Sequence, residues 1–446
     1  MKKITLSLLL ASQALLFGAT NEELSLELQK LKTEFAEYKK EQTAQTETIL
    51  EEIEGSSNAS TPSKNPYERV SSLGAAASKV YHSNSVVSLG GYGSYYFKKY
   101  TNFKNYANAQ NNETRKTAET NVLRFVPYFG FKFNDWIVMN TEVEFENGGA
   151  RSDGSKNYKY VIVEFSYLDF LLDERYNIRI GHVLVPFGNI NLNHEPTAYL
   201  TADRPLVETY IIPSTWHTNG ALVYGEYAGV DYYAGVITSP DSGKFIEGRF
   251  IQMGRQGARQ FTDDLSFVAR LGYDVMPGLN VGGSFMYGVT TPLKQERIGV
   301  DSSSIDADVS MNMSEVHASY KANGFDVQAL AVMGSLGDDY KKLSTEGNTI
   351  SGAVNGQYLT VAYDILHQYN TSKKLFAVVD IERIDMDADD ETTFADNKKF
   401  LQYSTGIAYY PDPKVVLKAE YATKDYVDGA KLADESVFSA SAGFIF

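Results

Sequence analysis

Alternation of apolar and polar side chains constrains the fold of this sequence more than any other feature. In the last eleven residues, Ser436–Phe446, Phe and Ala occupy the even positions from 438 onward, while Ser and Gly occupy 439, 441 and 443. Successive side chains of a β-strand point to opposite faces, so this segment predicts a strand with one apolar face and one small, polar face. Similar alternation recurs about sixteen times along the chain, which predicts an all-β fold.

The composition of the 446 residues excludes several other classes of protein. No stretch after the N-terminus holds ~20 consecutive apolar residues, which excludes a helical membrane protein; barrel strands need only one apolar face. The chain has no Cys, so disulfide frameworks, thiol nucleophiles and Cys-ligated metals are excluded. Its formal charge is −15, and −17 without Lys2 and Lys3, so a nucleic-acid partner is not expected.

The N-terminus, residues 1–19, predicts export. Lys2 and Lys3 precede an apolar core and small residues, which is the pattern of a secretory signal peptide. Phe17 fits poorly at the third position before a cut after Ala19, which leaves the cleavage point open by a residue or two. The alternative, an uncleaved anchor helix, is disfavoured because the apolar core is short.

Residues 20–54 predict a periplasmic helix with a heptad seam. The seam positions step by four and three, at Leu24, Leu28, Leu31, Phe35, Tyr38, Gln42, Gln45 and Ile49. Such a seam favours a coiled coil, and a single amphipathic helix is the alternative. Residues 55–84 lack periodicity and are rich in Ser, Ala and Gly, so they predict a linker.

From residue 85 onward, the alternating segments predict strands joined in pairs. Turn-forming sequences such as Pro277-Gly278 and Asn323-Gly324 alternate with much longer connections. Short turns on one rim, long loops on the other and an even strand number are typical of outer-membrane barrels. The predicted strands are 85–99, 121–133, 136–147, 157–171, 176–186, 216–227, 230–238, 263–275, 279–290, 308–321, 325–335, 353–368, 374–385, 398–410, 414–425 and 436–446.

Within single strands, charged side chains share one parity and apolar side chains share the other. A soluble β-sandwich would show the same alternation, so the signal peptide, the turn asymmetry and the C-terminal Phe446 decide between the two folds. A terminal strand that ends in Phe resembles the C-terminal signature of bacterial outer-membrane barrels. The sequence therefore predicts a transmembrane antiparallel β-barrel of about sixteen strands with a wet interior, preceded by an α-helical coiled coil.

One strand, residues 176–186, departs from this alternation. His182 falls on the apolar parity of Ile178 and Ile180, where a barrel strand would face lipid. A β-bulge that re-aims the side chain or a contact with another subunit would each explain the exception.

The longest predicted connection, residues 187–215, follows the fifth strand. Its three prolines and Pro186 just before it imply a stiff path. The sequence RIGHVLVPFGN…HEP…DRPLVE…IIPSTW (Arg179–Trp216) resembles the phosphate-selective porin O/P family and its dicarboxylate-channel relatives. The resemblance extends over the barrel, residues 85–446. It implies a trimer in which the third long loop narrows a lumen that passes small anions.

Charged residues in and around this loop are the candidate site residues. The candidates for the constriction are His194, Glu195, Asp203, Arg204 and Glu208, and inward parity selects Arg124, Arg179, Arg270, Glu142 and Glu164 for the lumen wall. The next long loop carries a basic patch of Lys244, Arg249, Arg255 and Arg259, which would collect anions at a pore mouth. Binding of anionic lipopolysaccharide, or simple solvation, is the alternative for this patch. The inward residues are more acidic than basic, which leaves the ion preference open.

These patterns predict a passive porin that lets small hydrophilic solutes or ions, such as phosphate or dicarboxylates, diffuse through a homotrimeric, water-filled channel in the outer membrane. The alternative is a structural or adhesive protein whose coiled coil tethers the envelope through peptidoglycan. Expected partners are further copies of the chain, outer-membrane lipid and lipopolysaccharide. No catalytic residue, cofactor or metal site is expected, since the sequence contains no GxSxG, HExxH or Gly-rich phosphate loop before a helix.

Overall fold

The computed structural model describes residues 70, 72–101, 118–149, 161–255, 257, 259–260, 262–290, 307–345, 348–389, 399–426 and 435–446, with seven residues between Gln29 and Lys40. Those seven are helical and belong to a unit of residues 1–63, whereas residues 64–446 form a second unit. The signal peptide, the coiled-coil seam and most of the predicted linker lie outside the described residues. No helix in the described ranges is long and apolar enough to cross a membrane.

The described residues contain sixteen antiparallel strands that close into a barrel, which confirms the predicted fold class. Each strand pairs with its neighbours in sequence, and the first strand closes the barrel against the last, with Tyr92 opposite Ile445. The strands are β1 (Val87–Thr101), β2 (Ala118–Lys132), β3 (Ile137–Glu146), β4 (Val161–Asp173), β5 (Tyr176–Leu184), β6 (His217–Tyr227), β7 (Val230–Thr238), β8 (Leu265–Met276), β9 (Leu279–Thr290), β10 (Val309–Ala322), β11 (Phe325–Leu336), β12 (Ala353–Asp364), β13 (Lys374–Asp385), β14 (Lys399–Asp412), β15 (Val415–Tyr426) and β16 (Glu435–Ile445).

The side chains of the strands alternate between the outside and the inside of the barrel. On β13, Val379 and Ile381 are 52% and 44% exposed, whereas Asp380 and Glu382 between them are buried. Apolar side chains on the outside suit a lipid environment, while inward charges require water or polar partners. The inward charges have protein partners because loops and a short helix fill part of the barrel.

Two of the tight turns have the geometry that their residues predict. Gly278 and Gly324 each occupy the second position of a two-residue connection, with φ of 85° and 83°. Glycine adopts this left-handed conformation without the steric cost of a Cβ atom, so the strands can reverse within two residues.

Part of the predicted linker is a helix, which corrects the sequence interpretation. Helix α1 (Ala75–His82) lies against β1, β2 and β3, with Ala76, Ala77 and Val80 buried. Gly130 of β2 leaves the space that Val80 occupies. The run of three alanines favours a helix locally, but the segment is too short to be stable without these contacts. The second helix, α2 (Leu206–Tyr210), belongs to the third long loop.

Candidate functional site: the interior of the barrel

The third loop, residues 185–216, leaves and rejoins the barrel wall at a single closed neck between β5 and β6. The Asn191 side chain makes this closure: its Nδ2 donates to the carbonyl oxygens of Val185 (2.7 Å) and Trp216 (2.9 Å). Its Oδ1 accepts from the Trp216 backbone N–H at 2.6 Å. Asn191 is fully buried, and these three bonds reinforce the backbone bond from the Val185 N–H to the Trp216 carbonyl oxygen (2.9 Å).

From this neck the loop crosses the interior to the opposite side of the barrel. The Lys418 ammonium on β15 donates to the carbonyl oxygens of Tyr199 (2.6 Å) and Thr201 (3.0 Å). On β13, Glu382 accepts from the Val207 backbone N–H at 2.8 Å. Since β5 and β13 are eight strands apart in a ring of sixteen, the loop spans the lumen.

Glu208 in α2 holds the two arms of the third loop together. Its carboxylate accepts from the backbone N–H groups of Asn189 (3.0 Å) and Ile190 (2.7 Å) and from the Tyr358 hydroxyl on β12 (2.7 Å). Burial raises the pKa of Glu208 to about 7, and the three donors only partly offset that effect. Its charge state therefore changes near neutral pH.

His194 fixes the loop to the near wall through two carboxylates. Its Nε2 lies 3.3 Å from Glu142 Oε1 on β3 and 3.5 Å from Glu164 Oε2 on β4, and all three side chains are buried. Burial alone would lower the pKa of His194, but the two carboxylates outweigh it and raise the pKa to about 10. This part of the site therefore favours a positive charge at the imidazole.

Glu195 joins the third loop to α1. Its Oε1 accepts from the backbone N–H groups of Ala76 (2.9 Å) and Ala77 (3.0 Å), at the N-terminal end of the helix. A carboxylate is stabilised there because the first N–H groups of a helix have no partner within the helix. On the other side, Asn140 of β3 donates to the Ala77 carbonyl oxygen at 2.8 Å. The helix is thus part of the packed interior.

The predicted arginines of the wall are bound in ion pairs. Three carboxylates on strands of the wall neutralise them: Arg124 pairs with Glu144 (2.7 Å), Arg179 with Asp169 (2.8 Å) and Arg270 with Asp231 (2.8 Å). The Arg179 guanidinium also stacks between the rings of Tyr167 and Tyr224, at 4.1 and 4.8 Å from their centroids. These arginines stabilise the wall, and their charge is largely compensated.

A partly open cavity of about 130 Å³ remains between the third loop and the wall formed by β13–β16 and β1. Its charged lining residues are Lys98, Arg204, Lys424, Asp203, Glu382, Glu420 and Glu435. Lys98 on β1 pairs with Asp203 of the third loop at 2.6 Å. Arg204 differs from the wall arginines because it makes no ion pair within the described part of the chain; its Nη1 is buried without a hydrogen bond. Burial and the neighbouring Arg124 charge lower its pKa.

The structure divides the five constriction candidates into two groups. Asp203 and Arg204 line the cavity, while His194, Glu195 and Glu208 are buried in the contacts that position the loop. Two further cavity residues, Lys98 and Lys424, were missed. Lys98 lies in predicted strand 85–99 and Lys424 in predicted strand 414–425, where Lys424 shares the inward parity of Lys418 and Glu420, so strand parity was the available signal.

The basic patch does not form one continuous surface. Lys244 pairs with Asp241 at 3.0 Å, and Arg249 and Arg259 are exposed. Arg255 instead donates through Nη1 to the carbonyl oxygens of Pro213 (2.9 Å) and Thr215 (3.2 Å), which braces the third loop.

Comparisons with known proteins support the class of fold. No family model matches the chain. The chain is 29% identical over 395 residues to an uncharacterized protein of Aquifex aeolicus (strain VF5), covering 85% of this chain and 84% of that protein.

Among solved structures, OmpF of Salmonella typhi matches with a TM-score of 0.54 and 12% identity, over 81% of this chain and 97% of that chain. The outer-membrane channel DcaP of Acinetobacter baumannii matches with a TM-score of 0.52 and 13% identity, over 81% and 97%. OprB of Pseudomonas putida matches with a TM-score of 0.50 and 9% identity, over 81% and 94%. The chain therefore has a porin-like fold. At these identities the likeness concerns the fold alone and does not single out the O/P family.

Proposed function

We propose that this protein is a passive outer-membrane channel for small hydrophilic solutes or ions. The observation that carries the proposal is a closed sixteen-strand barrel, apolar outside, with a charged cavity beside a loop that crosses the lumen. A barrel of this strand number has an interior wide enough for an aqueous channel. The third loop and α1 together set the size limit, since both occupy the interior.

Asp203 and Arg204 are the constriction residues in this proposal, with Lys98 opposite them on the wall. The guanidinium of Arg204 lines the cavity and offers hydrogen-bond donors to a passing anion or polar solute. The cavity has three basic and four acidic side chains, so its charge is nearly balanced. That balance supports passage of solutes of either charge and gives anions such as phosphate or dicarboxylates only a local advantage at Arg204.

A homotrimer is the proposed assembly, and the outer face of β3–β6 supports it. Four polar side chains lie in register on four successive strands and share the parity of the outward apolar residues: Thr141, Ser166, His182 and Asn219. The His182 side chain is itself largely covered by its own chain, at 6% exposure. His182 Nδ1 lies 2.7 Å from Asn219 Oδ1, and the β5–β6 register is regular through His182. On the other side, the β4–β5 ladder ends at the Ser166–His182 pair, next to Gly181 with a φ of 140°. Polar groups are costly against lipid, so contact with a neighbouring subunit explains this stripe.

Single-channel recording of the purified protein in planar bilayers tests the function. Openings in three steps, with a reversal potential in a KCl gradient, are expected for a trimeric channel. Folded protein without any conductance would contradict the channel and favour the structural alternative. The coiled coil on which that alternative depends lies outside the described residues. Loss of envelope attachment after deletion of residues 20–55, with unchanged conductance, would add a tether to the channel.

A further inference from the structure

A buried cluster of three potential ligands lies where the third loop meets the barrel wall. The donor atoms of Glu142, Glu164 and His194 all lie within 4.8 Å of one another. Among the described residues, this is the one group of three or more potential metal ligands that lie so close together. The three residues come from β3, β4 and the loop. Whatever binds all three therefore joins the loop to the wall.

The imidazole of His194 is oriented as it would be for a metal ligand. Its Nδ1 lies 3.0 Å from the carbonyl oxygen of Asn191, to which it donates, so Nε2 is the nitrogen that faces the carboxylates. Metal-bound histidines commonly donate their second ring N–H to a backbone carbonyl in this way. A lone pair on Nε2 directed at two carboxylates is repulsive, so either a proton on Nε2 or a metal cation must lie between them.

The separations of the imidazole nitrogen from the two carboxylates fit a tetrahedral ion. Metal–donor bonds of about 2.0–2.1 Å place neighbouring donors roughly 3.3–3.4 Å apart at the corners of a tetrahedron. The separations of Nε2 from Glu142 Oε1 and Glu164 Oε2 are 3.3 and 3.5 Å. Two carboxylates also match the charge of a divalent cation.

Both carboxylates have unused acceptors directed into the cluster. Glu164 is fully buried, and neither of its oxygens has a hydrogen-bond partner; the same is true of Glu142 Oε2. Leaving such groups without partners is costly, which indicates that a ligand satisfies them. A further donor is close, since His217 Nδ1 lies 4.0 Å from Glu164 Oε1 and also makes no hydrogen bond.

A β-bulge presents Glu164 to the cluster. In the β3–β4 ladder Glu142 pairs with Phe165 and Val143 pairs with Val163, which leaves Glu164 as an extra residue without a partner. Glu164 and Phe165 are consequently both buried, against the alternation of the strand. Bulges commonly re-aim a side chain next to a functional site.

We propose that Glu142, Glu164 and His194 bind one divalent transition-metal cation of the Zn²⁺ class, which locks the third loop to the barrel wall. The imidazole selects against Mg²⁺ and Ca²⁺, which prefer oxygen ligands only. His217 and a water molecule are the candidates for the fourth position. The site is structural, and it is independent of which solute the channel passes.

Metal analysis of the tag-free, full-length protein folded in detergent tests the proposal. After dialysis against a chelator and reloading with Zn²⁺, mass spectrometry is expected to find one ion per chain. Glu164→Gln keeps the shape of the side chain and is expected to weaken Zn²⁺ binding at least ~10-fold. The matched control is Glu315→Gln, which alters another buried Glu–His pair, since Glu315 contacts His317 Nδ1 at 2.9 Å with no second carboxylate in the cluster. This control is expected to retain the ion.

Co²⁺ provides a second measurement that needs no variant. A tetrahedral site gives Co²⁺ intense visible absorption bands that saturate at one equivalent, whereas surface binding gives weak octahedral bands. Zn²⁺ is expected to displace Co²⁺. It is also expected to raise the unfolding temperature of the wild type and of Glu315→Gln but not that of Glu164→Gln. Absence of stoichiometric binding to the folded wild type would overturn the proposal and leave a protonated His194 as the cation. Equal Zn²⁺ binding by wild type and Glu164→Gln would overturn it as well.

Discussion

Reversing the charge of Arg204 is expected to make the channel more selective for cations. The guanidinium lines the cavity with one unpaired nitrogen, and the wall arginines are already neutralised by ion pairs. Arg204→Glu changes the local charge by two units. The variant is expected to assemble normally, because within the described residues no ion pair depends on Arg204.

The size of the effect follows from Coulomb's law. An ion that passes about 5 Å away in water interacts with each unit charge by about 0.8 kcal/mol. A change of two units, reduced to about 60% by a Debye length of about 10 Å at 0.1 M salt, is worth roughly 1 kcal/mol. Because the effect has opposite signs for K⁺ and Cl⁻, the permeability ratio changes by roughly 30-fold, with about 1.4 kcal/mol for each factor of ten.

The assay is the reversal potential in a tenfold KCl gradient. From a weakly selective wild type, Arg204→Glu is expected to move it by about 50 mV toward the ~59 mV limit for a perfectly cation-selective channel. Arg204→Gln removes one charge and is expected to give half the change in the logarithm of the permeability ratio. Arg259→Glu is the control, since Arg259 is exposed on the loop between β7 and β8 and does not line the cavity. A shift below about 10 mV for Arg204→Glu, or an equal shift for Arg259→Glu, would refute the reasoning.

Three further outcomes follow from buried groups. Glu208, whose pKa is raised to about 7 from 4.5, stabilises the fold fully below pH 4.5 and loses that contribution as the pH rises through 7. The free energy of unfolding of Glu208→Gln, measured relative to wild type by thermal unfolding, should therefore rise by up to roughly 3 kcal/mol as the pH increases from 4.5 through 7. A difference that stays constant with pH would contradict the assignment. Glu195→Ala removes two charge-assisted hydrogen bonds of about 1.5–3 kcal/mol each from α1. The single-channel conductance of this variant is expected to be larger and noisier because α1 is held less firmly. An unchanged conductance would show that α1 does not limit the pore. Arg179→Leu leaves Asp169 buried without its partner and should cost about 3–5 kcal/mol in thermal unfolding, much of which Asp169→Leu should restore in the double variant.

The barrel was predictable because its signals are local. A period of two and the residues of a tight turn are written within each segment, so the predicted strands 279–290 and 374–385 coincide with β9 and β13. The inward position of Glu142 and Arg179 followed from the same parity, whereas Glu164 faces inward at a β-bulge that parity does not specify. The apolar outer face also followed, since lipid on one side and polar groups on the other impose a simple alternation.

The contacts inside the barrel were not predictable, because their partners are distant in the sequence. Glu195 caps a helix whose N–H donors lie 118 and 119 residues earlier, and nothing in residues 75–82 marks them for burial inside a barrel. His194 was expected in the open constriction because its partners, Glu142 and Glu164, are also distant from it in the sequence. Its neighbours on β3 and β4 are known only once the loop is placed.

The sequence by itself determined that this chain forms strands, how they pair and which face of the barrel is apolar, because these depend on neighbouring residues. Only the tertiary structure decided which charges remain available to a solute. Arg124, Arg179 and Arg270 share inward parity, yet each is neutralised by a carboxylate, whereas Arg204 lines the cavity and makes no ion pair within the described residues. The physical reason is that the effective charge of a side chain depends on its partners in space, which parity along a strand does not specify.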